Sequence, residues 1–151
     1  MAMGASPDRA HGAYMLDGLL ENGYAVLVNA GDDAHFDHPL DRFGAWVEVY
    51  CRSLEPHVVL ESLKNGNYYS TQGPAIHELR LDGLSLHVET SDAYTIALSG
   101  GGDRWQEATN CVGEGKIGEA DFDLSPFRGS YCRVTVVDHA GRRAWSNPIW
   151  P

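Results

Sequence analysis

The sequence has few cysteines and no long apolar run. Its three cysteines, Cys51, Cys111 and Cys132, are odd in number and lack C-x-x-C spacing. They therefore predict neither a disulfide framework nor a structural zinc site, and they fit a reducing compartment. No segment approaches the roughly 18 to 20 apolar residues that cross a bilayer, and residues 1–8 lack the basic and apolar regions of a secretory signal. We expect a soluble, cytoplasmic protein without a membrane partner.

Positive charge is also scarce, since 11 Lys and Arg face 21 Asp and Glu, for a net charge of -10. Such a chain repels a phosphate backbone, and no basic run interleaved with aromatic residues offsets this locally. Nucleic acid is therefore not an expected partner. No G-x-S-x-G motif supports a serine hydrolase. The 151 residues, 43% of them hydrophobic, are enough for one folded unit with a core.

The first half of the chain alternates between helix and strand patterns. Residues 1–12 are small and polar, which is typical of a flexible lead-in. Apolar residues recur at helical spacing from Tyr14 to Leu20, and Gly23 supplies a helix stop before a β-type run at residues 24–28. The sequence thus predicts a helix that leads into a buried strand.

The same alternation continues further along the chain. Residues 45–50 form a second β-type run, and Ser53 is a candidate N-cap for a helix over residues 55–65 that Gly66 ends. We therefore predict β/α units across residues 13–74.

Beyond residue 74 the helical periodicity gives way to short alternating apolar runs, at residues 79–81, 84–88, 94–98 and 131–138. Asp82-Gly83 lies between the first two runs and predicts a two-residue hairpin of type I′, because glycine tolerates positive φ. Residues 75–151 are predicted to form an antiparallel, β-rich, sandwich-like subdomain packed on the first region. The fold class expected for the chain is α+β.

A candidate metal site follows the strand predicted at residues 24–28. Residues 31–36 read Gly-Asp-Asp-Ala-His-Phe, and the carboxyl end of a strand is where α/β proteins usually build their sites. In an extended backbone Asp33 and His35 would point to the same side, and a carboxylate with an imidazole suits zinc, manganese or iron. Catalytic zinc normally takes three protein ligands. A loop histidine beside a turn aspartate is the alternative interpretation.

Several separated motifs, taken in order, give this segment a wider context. They are the strand ending in Ala-Gly-Asp-Asp-Ala-His-Phe, a Trp-Val strand, a helix ending in Leu-Lys-Asn-Gly, Tyr-Tyr-Ser-Thr-Gln-Gly-Pro at 68–74, Arg-Val-Thr-Val-Val-Asp at 133–138 and Gly-Arg-Arg-Ala-Trp-Ser-Asn-Pro-Ile-Trp at 141–150. Together, over residues 14–151, they resemble the C-terminal portion of a PHP-domain metallohydrolase. This is the polymerase and histidinol phosphatase superfamily, in its branch with a β-rich C-terminal extension.

The resemblance implies a function and a ligand pair. In the family a strand-end Asp-x-His supplies metal ligands, and Asp33 and His35 match it by position. Family members are distorted β/α barrels that hold more than one metal ion and hydrolyse phosphate esters or related bonds. The resemblance therefore implies a divalent metal and a metal-dependent, phosphoesterase-like hydrolase.

The sequence also departs from the family. Family enzymes begin with a strand that carries His-x-His and add further Glu and His ligands, whereas no such set precedes Asp33 and His11 is isolated. A barrel closes by pairing its last strand with its first, so the final units alone leave unpaired edges and an uncovered apolar surface. We expect the chain to refold locally, to form a homo-oligomer or to bind a partner chain.

Further residues are candidates for a pocket beside the ligand pair: Asp32, His38, Tyr68, Tyr69, Ser70 and Thr71. A solvated loop histidine is the alternative for His38, and sheet packing accounts equally well for the tyrosines. The remaining candidate histidines lack mutual spacing and are assigned no role: His57, His77, His87 and His139.

Three hypotheses follow from the sequence. In the first, the chain is a PHP-like fragment that lacks most metal ligands, has no catalysis of its own and acts as a binding or oligomerising protein. In the second, Asp33 and His35 bind a divalent metal, and a symmetry mate or partner chain completes a hydrolytic site. In the third, the chain is a truncated piece of a full-length PHP enzyme.

Overall fold

The computed structural model of the protein describes residues 12–36, 42–109 and 115–151. Within these ranges the elements are α1 (Ala13–Glu21), β1 (Trp46–Val49), α2 (Pro56–Lys64), β2 (Tyr68–Thr71), β3 (Ile76–Asp82), β4 (Ser85–Ala93), β5 (Thr95–Gly100), β6 (Arg104–Thr109), β7 (Ile117–Asp123), a 3₁₀ turn (Ser125–Phe127), β8 (Cys132–Val137) and β9 (Arg143–Ser146). Neither of these helices has the length and apolar character needed to span a membrane.

The strands form two sheets. Six strands lie in the order β1-β2-β9-β8-β5-β6 and three in the order β3-β4-β7, and all neighbouring strands are antiparallel. The described chain is therefore mostly β and of the α+β class, which confirms the β-rich class predicted from sequence. The six-stranded sheet takes strands from both sides of the boundary predicted between residues 74 and 75, so the two predicted regions share one sheet.

The hydrophobic core lies where the two sheets meet. Burial alternates along β4 and β5, as expected for strands with one inward face. Leu86 and Val88 of the three-stranded sheet share one buried cluster with Ile96, Val134 and Val136 of the six-stranded sheet. Each fully buried aliphatic side chain stabilises the fold by roughly 1.5 to 3 kcal/mol, so burial in this cluster contributes substantially to stability.

The segment after α1 corrects one prediction. The helix ends as expected, with Gly23 at φ 83° and its N–H donating to the carbonyl of Leu20 at 3.0 Å. The strand predicted at residues 24–28 is wrong, because this stretch is irregular. The backbone of Val28 is hydrogen-bonded by side chains and not by a neighbouring strand. Its N–H donates to Asn147 Oδ1 at 2.9 Å, and its carbonyl accepts from Ser70 Oγ at 3.2 Å.

The strand, helix and strand from β1 to β2 are present but differ from a barrel unit. β1 pairs directly with β2 and runs antiparallel to it, whereas successive strands of a β/α barrel are parallel. The helix between them begins at Pro56, after Glu55 as N-cap with extended backbone. Ser53 is therefore not the N-cap, because proline takes the first helical position and needs no N–H there.

A hairpin joins β3 and β4 as predicted, but its loop lies one residue later than Asp82-Gly83 and is of a different type. Asp82 pairs with Ser85, so the two loop residues are Gly83 and Leu84. Gly83 has φ 58°, and Leu84 is not among the residues with positive φ. A type I′ turn needs positive φ at both loop positions, so this turn is of another type.

Candidate functional site

The predicted ligand segment forms a turn. Asp33 has φ 53°, in the left-handed region, so the backbone is not the extended strand end that sequence predicted. Asp32 holds the turn: its Oδ1 accepts from the N–H of Ala34 at 3.3 Å, and its Oδ2 accepts from the N–H of Phe43 at 2.6 Å. Asp33 and His35 are exposed. Both oxygens of Asp32 are thus engaged in shaping the loop.

Asp33 and His35 offer the donor types of a metal site but not a complete set. Among residues 12–36, 42–109 and 115–151, one group of three or more His, Cys, Asp and Glu side chains has ligand atoms within 4.8 Å of one another, and it contains neither residue. Two ligands fall short of the three that a catalytic zinc takes. The expected neighbour His38 lies outside the described residues.

The two buried hydroxyl residues of the predicted pocket have structural partners. Thr71 Oγ1 donates to the carbonyl of Pro74 at 2.6 Å and accepts from the N–H of Gly73 at 2.8 Å. Ser70 Oγ donates to Val28, as described above. Both hydroxyls satisfy backbone groups, so the structure gives them a role in shaping loops.

The two tyrosines line a cavity of about 690 Å³. Tyr68 and Tyr69 are half-buried, and the exposed residues Glu48, Tyr50 and Glu78 also line this cavity. Burial raises the pKa of Tyr69, a backbone hydrogen bond to Ile76 opposes this, and the negative charge of Glu48 adds to the rise. The phenol therefore stays protonated and can donate a hydrogen bond into the cavity.

A second cavity, of about 470 Å³, lies between α1, residues 26–31 and the six-stranded sheet. Its wall is largely apolar and includes Leu16, Val26 and Trp145, with Arg133 among the few polar residues. Arg133 has its own partners, since Nη1 donates to Thr135 Oγ1 at 3.1 Å and Nε and Nη2 donate to Asp17. The predicted ligand turn begins at the edge of this cavity, because Gly31 is part of its wall.

The three-ligand group consists of Glu78, His87 and Glu89, on the three-stranded sheet. Glu78 and Glu89 are cross-strand partners in β3 and β4, and His87 lies two positions before Glu89 on the same face of β4. His87 Nε2 lies 3.4 Å from Glu89 Oε1, and its Nδ1 lies 2.8 Å from Asp121 Oδ1 on β7. Antiparallel register thus brings side chains from three strands together.

Sequence reasoning assigned His87 no role, and the structure places it at the centre of this group. The Asp82-Gly83 pair indicated a hairpin between these strands, but a loop there would pair Glu78 with His87. The observed loop, at Gly83 and Leu84, puts Glu78 opposite Glu89. The contact between Asp121 and His87 could not be predicted from sequence, because β7 is distant in sequence from β4 and the pairing of the two strands is set by the fold.

The electrostatics of His87 reflect its carboxylate neighbours. The hydrogen bond to Asp121 raises the pKa of His87, partial burial lowers it, the contact with Glu89 raises it, and the charge of Arg80 lowers it. The net shift is upward. The carboxylates around His87 therefore favour the protonated imidazole.

Comparison of the chain with protein-family models, with curated proteins and with solved structures found no match.

Proposed function

We propose that this chain is a PHP-like metallohydrolase portion that has no hydrolytic activity of its own and associates with a second copy of itself. The proposal rests on the motif order given by the sequence and on one structural observation, the distribution of exposed apolar side chains. It assigns the chain a binding and oligomerising role.

The exposed large apolar side chains of the described chain are concentrated before residue 61. We call these residues the N-terminal apolar set: Tyr14, Met15, Leu19, Tyr24, Leu27, Phe36, Phe43, Trp46, Tyr50, Leu54 and Leu60. Five others lie later in the chain: Leu79, Leu81, Tyr94, Trp105 and Trp150. In contrast, Leu20 is the single buried hydrophobic residue that precedes Ile76 in the described ranges. In this proposal these side chains contribute to an apolar surface, and such surfaces mark sites of association.

An open strand edge lies within the same region. β1 is at the end of the six-stranded sheet and pairs with β2 alone among the described strands. Its other edge presents backbone N–H and C=O groups that a strand from a second copy can pair with. A symmetric pair of β1 strands would cover both this edge and the neighbouring apolar residues.

Light scattering after gel filtration tests the proposal. We expect a dimer or larger species at micromolar concentration. The double variant Phe43→Ser/Leu54→Ser should shift the equilibrium towards monomer, because it replaces apolar side chains that are 86% and 90% exposed. Trp105→Ser is the matched control, because Trp105 is 64% exposed but lies outside the N-terminal apolar set. A wild-type monomer at micromolar concentration overturns the proposal.

A second candidate function keeps the metal chemistry of the family. Asp33 and His35 are exposed on a turn between residues of the N-terminal apolar set, so a copy or partner chain bound there can add the missing ligands. Dialysis against Mn²⁺ or Zn²⁺, followed by metal analysis, tests this in a His87→Ala background, which removes the imidazole of the Glu78, His87 and Glu89 group. Metal bound by that protein and lost in Asp33→Ala/His35→Ala supports this function, and no bound metal refutes it.

The third hypothesis, a truncated piece of a full-length PHP enzyme, has its own test. An upstream open reading frame that encodes His-x-His and is continuous with this chain supports truncation. In that case we expect the N-terminal apolar set to contact the remainder of the barrel. In the longer protein this surface would then be covered and would not mediate self-association, whereas in the present chain it would.

A further inference from the structure

We propose that Glu78, His87 and Glu89 form a binding site for a divalent transition-metal ion on the outer face of the three-stranded sheet. The site is separate from Asp33 and His35 and does not depend on the function proposed above. Its ligands come from two neighbouring strands of this chain alone.

Strand geometry places the three ligands on one face. Glu78 lies directly opposite Glu89 in the β3–β4 pairing, and directly paired residues have Cβ atoms roughly 4.5 to 5.5 Å apart. His87 and Glu89 are two positions apart in β4, so both project from the same side of the sheet. The inward neighbours Leu86 and Val88 are fully buried, which fixes β4 in this orientation.

The spacing of the donor atoms suits a single ion. Ligands at about 2.1 Å from a tetrahedral zinc lie roughly 3.4 Å apart, and His87 Nε2 is 3.4 Å from Glu89 Oε1. That distance is long for a hydrogen bond. The Glu78 carboxylate lies within 4.8 Å of both, and its side chain is 45% exposed, so it is able to move towards an ion.

Asp121 orients the imidazole for this role. Metal-binding histidines commonly donate the second ring N–H to a carboxylate, which fixes the tautomer and the ring orientation. His87 Nδ1 lies 2.8 Å from Asp121 Oδ1. A neutral His87 that donates from Nδ1 presents the lone pair of Nε2 on the side of Glu89. Asp121 is therefore a positioning residue, and Nε2 is the ligand atom.

The surrounding charge favours a cation with a preference for nitrogen. Glu119 of β7 pairs with Glu89 and adds a further negative charge, whereas Arg80 is opposite His87 and forms an exposed ion pair with Glu78 at 3.6 Å. Exposed ion pairs contribute little stability, so a metal displaces this one at small cost. An imidazole with carboxylates suits zinc or a similar ion better than magnesium, which prefers oxygen ligands.

Titration calorimetry with Zn²⁺ on the full chain tests the site. We expect one Zn²⁺ per chain with affinity at least tenfold above that for Mg²⁺, and a loss of at least tenfold in His87→Ala and in Glu89→Gln. His77→Ala is the matched control: it removes an exposed histidine next to Glu78 and leaves the ligands intact. The double variant Asp33→Ala/His35→Ala keeps this affinity, which separates this site from the function proposed above.

The pH profile tests the positioning role. Zn²⁺ needs the neutral imidazole, so the wild-type affinity rises with pH through the raised pKa of His87. In Asp121→Asn we expect the midpoint to move to lower pH and the affinity above the midpoint to fall about 10-fold to 100-fold. Two outcomes overturn the proposal: equal Zn²⁺ affinity in wild type and His87→Ala, with unfolding midpoints alike, or wild-type binding no tighter for Zn²⁺ than for Mg²⁺.

Discussion

Arg133 and Asp17 form a two-bond ion pair that joins β8 to α1. Arg133 Nε donates to Asp17 Oδ1 at 2.9 Å, and Nη2 donates to Oδ2 at 2.8 Å. The hydroxyl of Tyr131 donates to the same Oδ1 at 3.0 Å. The arginine side chain is 9% exposed and the aspartate 33%. The pair therefore fixes the helix to the sheet through a largely shielded charge.

Asp17→Asn should weaken this junction. It leaves the shielded guanidinium without its counter-charge, and because Asp17 is a third exposed, we expect a loss of about 2 kcal/mol, below the range for fully buried pairs. Urea unfolding measures the loss. Asp92→Asn is the control, since its ion pair with Lys116 is exposed and should contribute less than about 1 kcal/mol. Equal losses in the two variants would contradict the assigned role.

His87 should make stability depend on pH in metal-free buffer. Its pKa is raised above the ordinary value of 6.5, first by the hydrogen bond to Asp121. The folded state thus holds the proton more tightly, and the resulting stability is fully present below pH 6.5 and disappears as pH rises through the folded pKa. His87→Asn should therefore lose more stability near about pH 5.5 than near about pH 9.

Urea unfolding at the two pH values, with a chelator present, measures the effect. His57→Asn, at an exposed position of α2, gives the baseline for removal of a histidine. A loss in His87→Asn that is the same at both pH values would refute the prediction.

Cys132 should resist alkylation in the folded protein. Its side chain is fully buried in the core, and burial raises the pKa of the thiol to about 11, so little thiolate forms near neutral pH. Cys51 is half-buried and should react before Cys132. Iodoacetamide labelling followed by mass spectrometry measures each rate. Labelling of Cys132 as fast as Cys51 without denaturant would rule this out.

Asn147 should be needed to hold the irregular segment after α1. Its Oδ1 accepts from the N–H of Val28 at 2.9 Å, and its Nδ2 donates to the carbonyls of Gly66 at 2.9 Å and Tyr68 at 3.0 Å. Asn147→Ala should cost about 1 to 3 kcal/mol, because it leaves these partly buried groups unsatisfied. Hydrogen exchange should become faster at Val28, whereas exchange at Val134 in the core should change only with global stability.

The strands in the second half of the chain could be predicted from sequence, because their buried apolar residues recur at every second position. Leu86 and Val88 alternate with polar residues, and Ile96 and Leu98 recur at the same two-residue spacing on either side of the small residue Ala97. Each pair is buried as that spacing predicts. The hairpin between β3 and β4 was located by Gly83. Local patterns carry this information because one face of each strand must be apolar.

The segment around Val28 was misread for a physical reason. An apolar β-type run predicts a buried strand only if a neighbouring strand binds its backbone, and here side chains of Asn147 and Ser70 do so. Their positions follow from tertiary structure and not from local sequence. The prediction of an extended backbone at Asp33 depended on that strand and is wrong for the same reason.

The candidate site on the three-stranded sheet shows the same limit. The sequence predicts a hairpin between β3 and β4, but the pairing of Glu78 with Glu89 depends on the observed loop at Gly83 and Leu84. His87 becomes distinctive only beside Asp121. That contact depends on the β4–β7 register, which pairs residues with no short connection. The sequence shows which residue types could bind a metal, but it does not show that these side chains lie together in the fold.

The position of β9 in the six-stranded sheet constrains the order in which the chain can assemble. β2 reaches the rest of this sheet through β9, and Tyr69 pairs with Ser146. While the ribosome makes the chain, β1 and β2 have no place in the sheet until residues 143–146 have emerged. β1 and β2 therefore join the sheet only at the end of synthesis, and contacts between distant residues form slowly. The N-terminal apolar set is exposed in the folded chain and is exposed during synthesis as well. A chaperone that binds apolar segments would meet the nascent chain first at residues 14–60.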